Sequence, residues 1–231
     1  MKYIGEELDL FRHARNWKRY HASAFRPFVR GRVLDVGCGL GVNARYLVNT
    51  DVSHYTFLEP DRDLLDAVEP RLTSEVEVRL VQGTTNDVAG EHFDTILYLD
   101  VIEHIEHSTE ELQSACDLLA PGGHLLILVP AYAFLYSPFD KAIGHFRRYD
   151  KSTLRKELPP ELEPIRTIYL DSLGLLMSLG NKLLLKQSAP KLSQVLFWDR
   201  NVIPVSRITD KLFLHAFGRS LLSISRKPLG S

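Results

Sequence analysis

Apolar residues in this 231-residue chain fall into short runs separated by stretches of helical period. The β-rich runs are "RVLDVG" (32–37), "YTFLEP" (55–60), "VEVRLVQG" (76–83), "FDTILYLD" (93–100) and "HLLILVP" (124–130). Between them, "GVNARYLVNT" and "DRDLLDAVEPRL" carry helical patterns. Ser108 with Glu111 forms a capping-box signature for a third helix running to about Leu119, stopped by "PGG". Strands alternating with helices predict βαβ units and a mostly parallel sheet with helices on both faces.

After Pro130 the rhythm breaks. A loop of about twenty residues, "AYAFLYSPFDKAIGHFRRYD", precedes the helical "KSTLRKEL"; loops of that length in compact domains are usually functional or disordered, and the aromatics argue against disorder. "PIRTIYLD" (164–171) reads as a sixth strand and "RSLLSISRKP" (219–228) as a seventh, with a helical insertion between them at 172–218. At the other end, "RHARNWKRYH" (12–21) has four Arg/Lys and two His with no acid. Phe11, Ala14, Trp17 and Phe25 lie close to helical spacing, so the basic residues read as the outer face of an amphipathic helix or as an anion site.

Composition narrows the class. Hydrophobic residues at 45%, charged residues at 25% and a formal net charge of -1 describe one globular domain over 1–231, with no global field for nucleic acid. The two cysteines, Cys38 and Cys116, form no disulfide framework and fit a reducing, cytoplasmic setting. No run has the length of a membrane span. The nearest, 170–186, is interrupted by Asp171, Asn181 and Lys182, and reads as an amphipathic helix packing on the domain, on a partner or on a bilayer surface.

The chemistry begins at "VLDVGCGLG" (33–41), a strand running into Gly37, Gly39 and Gly41 ahead of a helix. Such a loop brings backbone N–H groups close to a ligand. Asp35 stands two residues before the first glycine. Glu59 ends the next strand about twenty residues on, where an acid accepts both hydroxyls of an adenosine ribose. With "FLEPD", "VQGTTND", "FDTILYLDVIEHI" and "LLAPGGHLLILVP" in order and spacing, residues 30–170 resemble the class I S-adenosylmethionine-dependent methyltransferases.

That resemblance implies a Rossmann-like seven-stranded α/β sheet with an antiparallel last strand, an N-terminal helical lid at 1–30, an active-site loop at 131–150 and a substrate-side insertion. It implies that Asp35 and the Gly37–Gly41 loop hold the methionine part of S-adenosylmethionine and Glu59, followed by Pro60, the ribose. Gly83, Thr84 and Thr85 would line the adenine, and Asp100 would sit beside the sulfonium. Thr84 stands where the family commonly has Asp, so the adenine contact falls to backbone groups or a hydroxyl. Trp17 and Tyr20 act as lid or as core. A nicotinamide-dependent dehydrogenase is the competing reading of the glycine loop, opposed by Asp35 and "APGG".

Methyl transfer from a sulfonium requires a nucleophile roughly 3 Å from the methyl carbon and a route for its proton. If the chain turns helical after Asp100, then Asp100, Glu103 and His104 share a face at i, i+3 and i+4. With His145 from the long loop they form a candidate site for Mn²⁺, Fe²⁺, Co²⁺, Zn²⁺ or Mg²⁺. The pattern resembles that of ubiquinone-biosynthesis O-methyltransferases and of enzymes that methylate small-RNA 3′ ends. Two other readings stand beside it: a metal-free site with His145 or His104 as general base, and histidines that only pack. Arg147 and Arg148 either clamp an anionic substrate or tie the loop to Asp140 or Asp150, and Tyr136 from the same loop is a further candidate for substrate contact. The expected activity is O-methylation of a small hydroxylated acceptor. N- or C-methylation and an inactive cofactor-binding module are the alternatives.

Overall fold

The computed structural model describes residues 7–69, 72–73, 75–181 and 190–230. Seven strands form one sheet in the order β3-β2-β1-β4-β5-β7-β6: β1 Gly31–Val36, β2 Val52–Glu59, β3 Glu77–Gln82, β4 Phe93–Leu99, β5 Leu119–Pro130, β6 Glu163–Leu170 and β7 Ser220–Arg226. The first five pair in parallel, while β7 runs antiparallel to both β5 and β6. The carboxyl ends of β1 to β6 therefore share one edge, the edge at which ligands bind in open α/β sheets.

Successive strand residues feed opposite faces. Val33, Phe57, Leu97 and Leu126 join one core cluster, and Leu34, Leu58, Ile96 and Leu125 the other. The first is covered by α1 (Glu7–Phe11), α2 (Arg15–Phe25), α3 (Ala44–Leu47) and α4 (Arg62–Asp66) and by the insertion. Helix α5 (Ser108–Leu118) lies against the second. Each fully buried Leu or Phe in these clusters contributes about 1.5–3 kcal/mol.

The expected helices after β1 and β2 are only α3 and α4, four and five residues long. Helix α5 has the expected span, but Ser108 does not cap it. The N-cap position is His107, and the Ser108 hydroxyl instead donates to Glu157 (2.7 Å) while Glu111 accepts from Thr85 (3.0 Å) and Tyr98 (2.7 Å). Tertiary partners thus take both halves of the anticipated capping box. The loop at 131–150 contains α6 (Pro138–Ala142) and is followed by α7 (Lys151–Glu157).

The insertion contains α8 (Ser172–Gly180), α9 (Leu192–Phe197) and α10 (Ile203–Leu212). The end of the apolar stretch, 182–186, lies outside the described residues, as do the start of the expected lid, 1–6, and residue 231. The insertion and α2 are joined through buried acids. Asp199 accepts the N–H groups of Asn16 (3.2 Å) and Trp17 (2.8 Å) in the first turn of α2, acting as a cap supplied from 182 residues away. Asp210 accepts from the backbone of Asp171 (2.7 Å) and Ser172 (2.8 Å) and from the Tyr20 hydroxyl (2.7 Å). Asp171, held at φ 66°, accepts from Gly174 N–H, Ser206 and the Trp198 indole. Among the described residues no helix is long and apolar enough to cross a membrane.

Candidate active site

The glycine loop leaves β1 in the left-handed region, with φ of 60° at Gly37, 54° at Gly39 and 65° at Gly41. Packing forbids a side chain as well: a Cβ at Gly37 or at Gly41 would stand 2.8 Å from a methyl of Val101 or Val68. Asp35 is buried under the loop and accepts from the Tyr55 hydroxyl (2.9 Å). Burial pushes its carboxyl up to about 7, with Glu59 adding to the rise and the Tyr55 bond opposing it.

Glu59 ends β2 and holds the loop from below. Its Oε2 accepts the Gly39 N–H (2.9 Å) and its Oε1 the Asp61 N–H (3.0 Å). Burial raises its pKa against those two bonds. A carboxylate oxygen has two lone-pair sites, so both oxygens retain capacity for a diol. Pro60 links Glu59 to Asp61, the cap of α4. Gly83 donates its N–H to the Glu59 carbonyl (3.1 Å), which places 83–85 beside the end of β2. The Thr84 hydroxyl and N–H both bond Asp87, and the Thr85 hydroxyl bonds Glu111. The two hydroxyls of this stretch are thus engaged within the protein.

After β4 the chain does not enter a helix at once. Asp100 adopts φ 58°, donates its N–H to Leu128 (2.8 Å) and lies exposed to solvent. A single 3-10 turn, Ile102–His104, follows. Asp100 therefore falls outside the group formed next. One ligand atom each from Glu103, His104 and His145 lie within 4.8 Å of one another.

Glu103 is fully buried, and neither carboxylate oxygen has a hydrogen-bond partner; the His145 Nε2 stands 4.0 Å from Oε1. Burial, then the Asp100 charge, raises its pKa well above the usual carboxylate value. The His104 ring meets His145 edge to face at 4.4 Å. Burial, then the neighbouring His145, pushes the His104 imidazole down to about 4.

The long loop is shaped to hold His145. Ser137 caps α6 in a capping box with Asp140, with Pro138 at the first helical position. His145 then places Nδ1 3.1 Å from Asp140 Oδ1, while its N–H bonds the Asp140 carbonyl (2.8 Å). Phe146 N–H bonds the Glu103 carbonyl (2.8 Å), sewing the loop to the turn after β4. Burial pushes the Asp140 carboxyl up, but the His145 bond, the Arg148 charge and Ser137 more than offset it and hold it below the usual range.

Arg148 forks onto Asp140 (2.9 and 3.0 Å), and Arg147 bonds Ser108, the Glu106 carbonyl (2.6 Å) and, at 3.6 Å, Glu157. Both guanidinium groups thus tie protein elements together, and the Tyr136 hydroxyl donates to the His145 carbonyl (2.6 Å). Tyr20 packs in the core and donates to Asp210.

Three residues escaped the sequence reading. Asp140 was visible there only as an arginine partner, although "SPFD" carries the S-x-x-D signature of a helix start. Lys18 belongs to the run read as an outer face, yet it is buried, as is His21. Its ammonium donates to the Phe11 carbonyl (2.8 Å), and burial, only partly opposed by the charges of Asp100 and Asp199, pushes its pKa down to about 8. Helical spacing carried the signal: Lys18 and His21 stand at i+4 and i+7 from Ala14, on the stripe that holds Trp17 and Phe25, whereas Arg15 and Arg19 lie off it and are exposed.

Comparison with known proteins agrees with this architecture. A family model described as "Methyltransferase domain" matches residues 9–165. The ubiquinone biosynthesis O-methyltransferase of Parvibaculum lavamentivorans is 30% identical over 136 residues, covering 55% of this chain and 53% of that protein. Its namesake from Ruegeria pomeroyi is 30% identical over 100 residues, covering 42% and 40%. The matches thus span about half the length of these curated relatives or less.

Among solved structures, a chain from the complex of the Haloferax volcanii Trm112 methyltransferase activator with a methyltransferase superposes with a TM-score of 0.65 at 15% identity, covering 96% of this chain and 95% of that one. The N-methyltransferase NodS of Bradyrhizobium japonicum, solved with S-adenosyl-l-homocysteine, gives 0.58 at 15% identity, covering 94% and 88%. At these identities the structural likeness speaks for the fold. The family match over residues 9–165, together with the sheet order and the glycine loop, makes this chain a member of the class I S-adenosylmethionine-dependent methyltransferases.

Proposed function

We propose that this chain methylates a hydroxyl of a small molecule, with His145 as the general base. The observation that carries the reading is the Asp140–His145 pair: a carboxylate locked by Arg148 and Ser137 orients the imidazole through Nδ1. That leaves Nε2 for the acceptor at the carboxyl edge of the sheet. As the acceptor oxygen attacks the methyl carbon, His145 takes the hydroxyl proton, the carbon–sulfur bond breaks and the sulfonium leaves as a neutral thioether. In this reading Asp35, Gly37, Gly39 and Gly41 hold the methionine end, Glu59 and Pro60 the ribose, and backbone groups of 83–85 the adenine. Asp100 stands by the sulfonium charge. The O-methyltransferase names of the curated relatives favour oxygen as the acceptor atom.

A second reading is favoured by one specific observation, the buried Glu103 carboxylate with no hydrogen bond to either oxygen. An isolated buried carboxylate is costly unless it is paired or ligates a cation. With His104 and His145 it supplies one carboxylate and two imidazoles, a donor set that suits Mn²⁺, Fe²⁺, Co²⁺ or Zn²⁺ at least as well as Mg²⁺. Asp140 would then orient His145 as a ligand. A bound divalent ion would lower the pKa of an acceptor hydroxyl.

The test is turnover with labelled S-adenosylmethionine on a panel of phenols, catechols, sugars and amines, before and after chelation and with each metal restored. Cofactor affinity is measured alongside by calorimetry. His145→Ala is expected to lower turnover about 10³-fold with cofactor affinity unchanged. Turnover that survives chelation selects the metal-free base, and turnover restored only by metal selects the ion. Methyl transfer that His145→Ala leaves intact, or that reaches only amines, overturns the proposal.

A further inference from the structure

Helix α10 is amphipathic in the inverted sense. Its face toward the protein is partly polar: Ile203, Ser206 and Asp210, at i, i+3 and i+7, are buried. Its outward face is apolar: Val205, Ile208 and Leu212 follow at i, i+3 and i+7, with Ile208 69% and Leu212 73% exposed. The chain then turns through two left-handed residues, Leu214 (φ 51°) and His215 (φ 55°), which cost backbone strain and present Leu214 to solvent at 86% exposure. Phe197, Leu176 and Met177 on the neighbouring helices are exposed as well. Contiguous apolar surface of this kind marks an interaction site.

Within the insertion the exposed charge has one sign. The only acids between 172 and 218 are Asp199 and Asp210, and both are buried and bonded within the protein. The exposed charges of the described insertion are Lys191, Arg200, Arg207 and Lys211, all basic. Arg207 and Lys211 alternate with the apolar positions of α10. Beyond Arg200 the basic rim continues into a cavity of about 300 Å³ that it shares with Arg15 and Arg19 of α2. A second copy of this chain, docking the same patch about a two-fold axis, would bring like charges together. An extended anionic surface with an apolar layer beneath it meets both features at once.

We infer that the outward face of α10 with the Leu214 turn is a docking surface for an anionic lipid bilayer: Ile208, Leu212 and Leu214 enter the headgroup–acyl boundary and Arg207 and Lys211 meet the lipid phosphates. The insertion leaves the sheet at Asp171, at the carboxyl end of β6, so docking brings the edge that carries the active site toward the membrane.

The test is co-sedimentation of the whole chain with vesicles of phosphatidylcholine containing roughly 30% phosphatidylglycerol, against pure phosphatidylcholine, at low and high salt. The expected result is binding to the anionic vesicles that weakens with salt. It should fall at least tenfold in the Ile208→Glu/Leu212→Glu/Leu214→Glu variant and in Arg207→Glu/Lys211→Glu, with thermal melting and cofactor affinity unchanged. No sedimentation with anionic vesicles at low salt overturns the inference, as does a triple variant that binds like the parent. A concentration-dependent dimer in light scattering, dissolved by the triple variant in a chain that ignores vesicles, overturns it too and gives the face to a second copy.

Discussion

Two sets of buried acids in this chain are treated in opposite ways. In the insertion and at its start, Asp199, Asp210 and Asp171 are each surrounded by donors, chiefly backbone N–H groups at helix starts that would otherwise be unsatisfied. Beside the long loop, Asp140 is likewise saturated, but its neighbour Glu103 is buried with both oxygens unbonded. A saturated acid holds elements in place. An orphaned one works against the folded state, since it gives up its hydration and no hydrogen bond replaces it. Its place beside two histidines, at the carboxyl edge of the sheet, sets it apart from the acids that pin the fold.

The contrast can be broken by substitution. Asp210→Ala leaves two buried N–H groups and the Tyr20 hydroxyl without an acceptor, and should cost about 3–5 kcal/mol in urea unfolding. A smaller loss would mean that the insertion is not pinned through this acid. Asp140→Asn keeps the shape but removes the charge that orients His145. Turnover should fall roughly 10–100-fold with cofactor affinity intact, and equal turnover would reduce Asp140 to a loop tie.

The pH dependence sharpens the same distinction away from the site. His21 is buried with Nδ1 unbonded, and burial, then the Lys18 charge, pushes its imidazole down to about 3. Its folded pKa lies below the unfolded value, so the unfolded chain binds the proton first. Stability is complete above pH 6.5 and is lost as pH falls toward 3. Between pH 6.5 and 5 this one group should cost about 2 kcal/mol, a slope that His21→Phe removes. An unchanged slope in denaturant midpoints would show that His21 is hydrated in solution.

The smallest expected effect on stability is the most telling. Glu103→Leu should leave the unfolding midpoint unchanged or raise it by up to about 1 kcal/mol, while turnover falls at least tenfold. A loss of stability like that of Asp210→Ala would place Glu103 among the structural acids.

The sheet and the glycine loop were legible because they rest on local rules. Strand runs such as 93–99 and 124–130 announce themselves by composition, Gly37 and Gly41 by the backbone they must adopt, and Glu59 by its distance from them. Reading Asp100, Glu103 and His104 as one helical face did not survive. The left-handed turn at Asp100 and the tight turn after it bring Glu103 and His104 to His145 and leave Asp100 apart. The capping box at Ser108 failed for a related reason, since Glu157, Thr85 and Tyr98 compete for its two members from elsewhere in the chain.

The sequence by itself determined the order of elements, the glycine turn after β1 and the pair of histidines worth testing. All of these follow from periodicity, turn chemistry and spacing along the chain. Only the tertiary structure decided which acid is capped and which is orphaned, and that α10 turns its apolar side outward. Those outcomes depend on donors brought from as far as 182 residues away, and burial of a polar group is set by the partners that close over it.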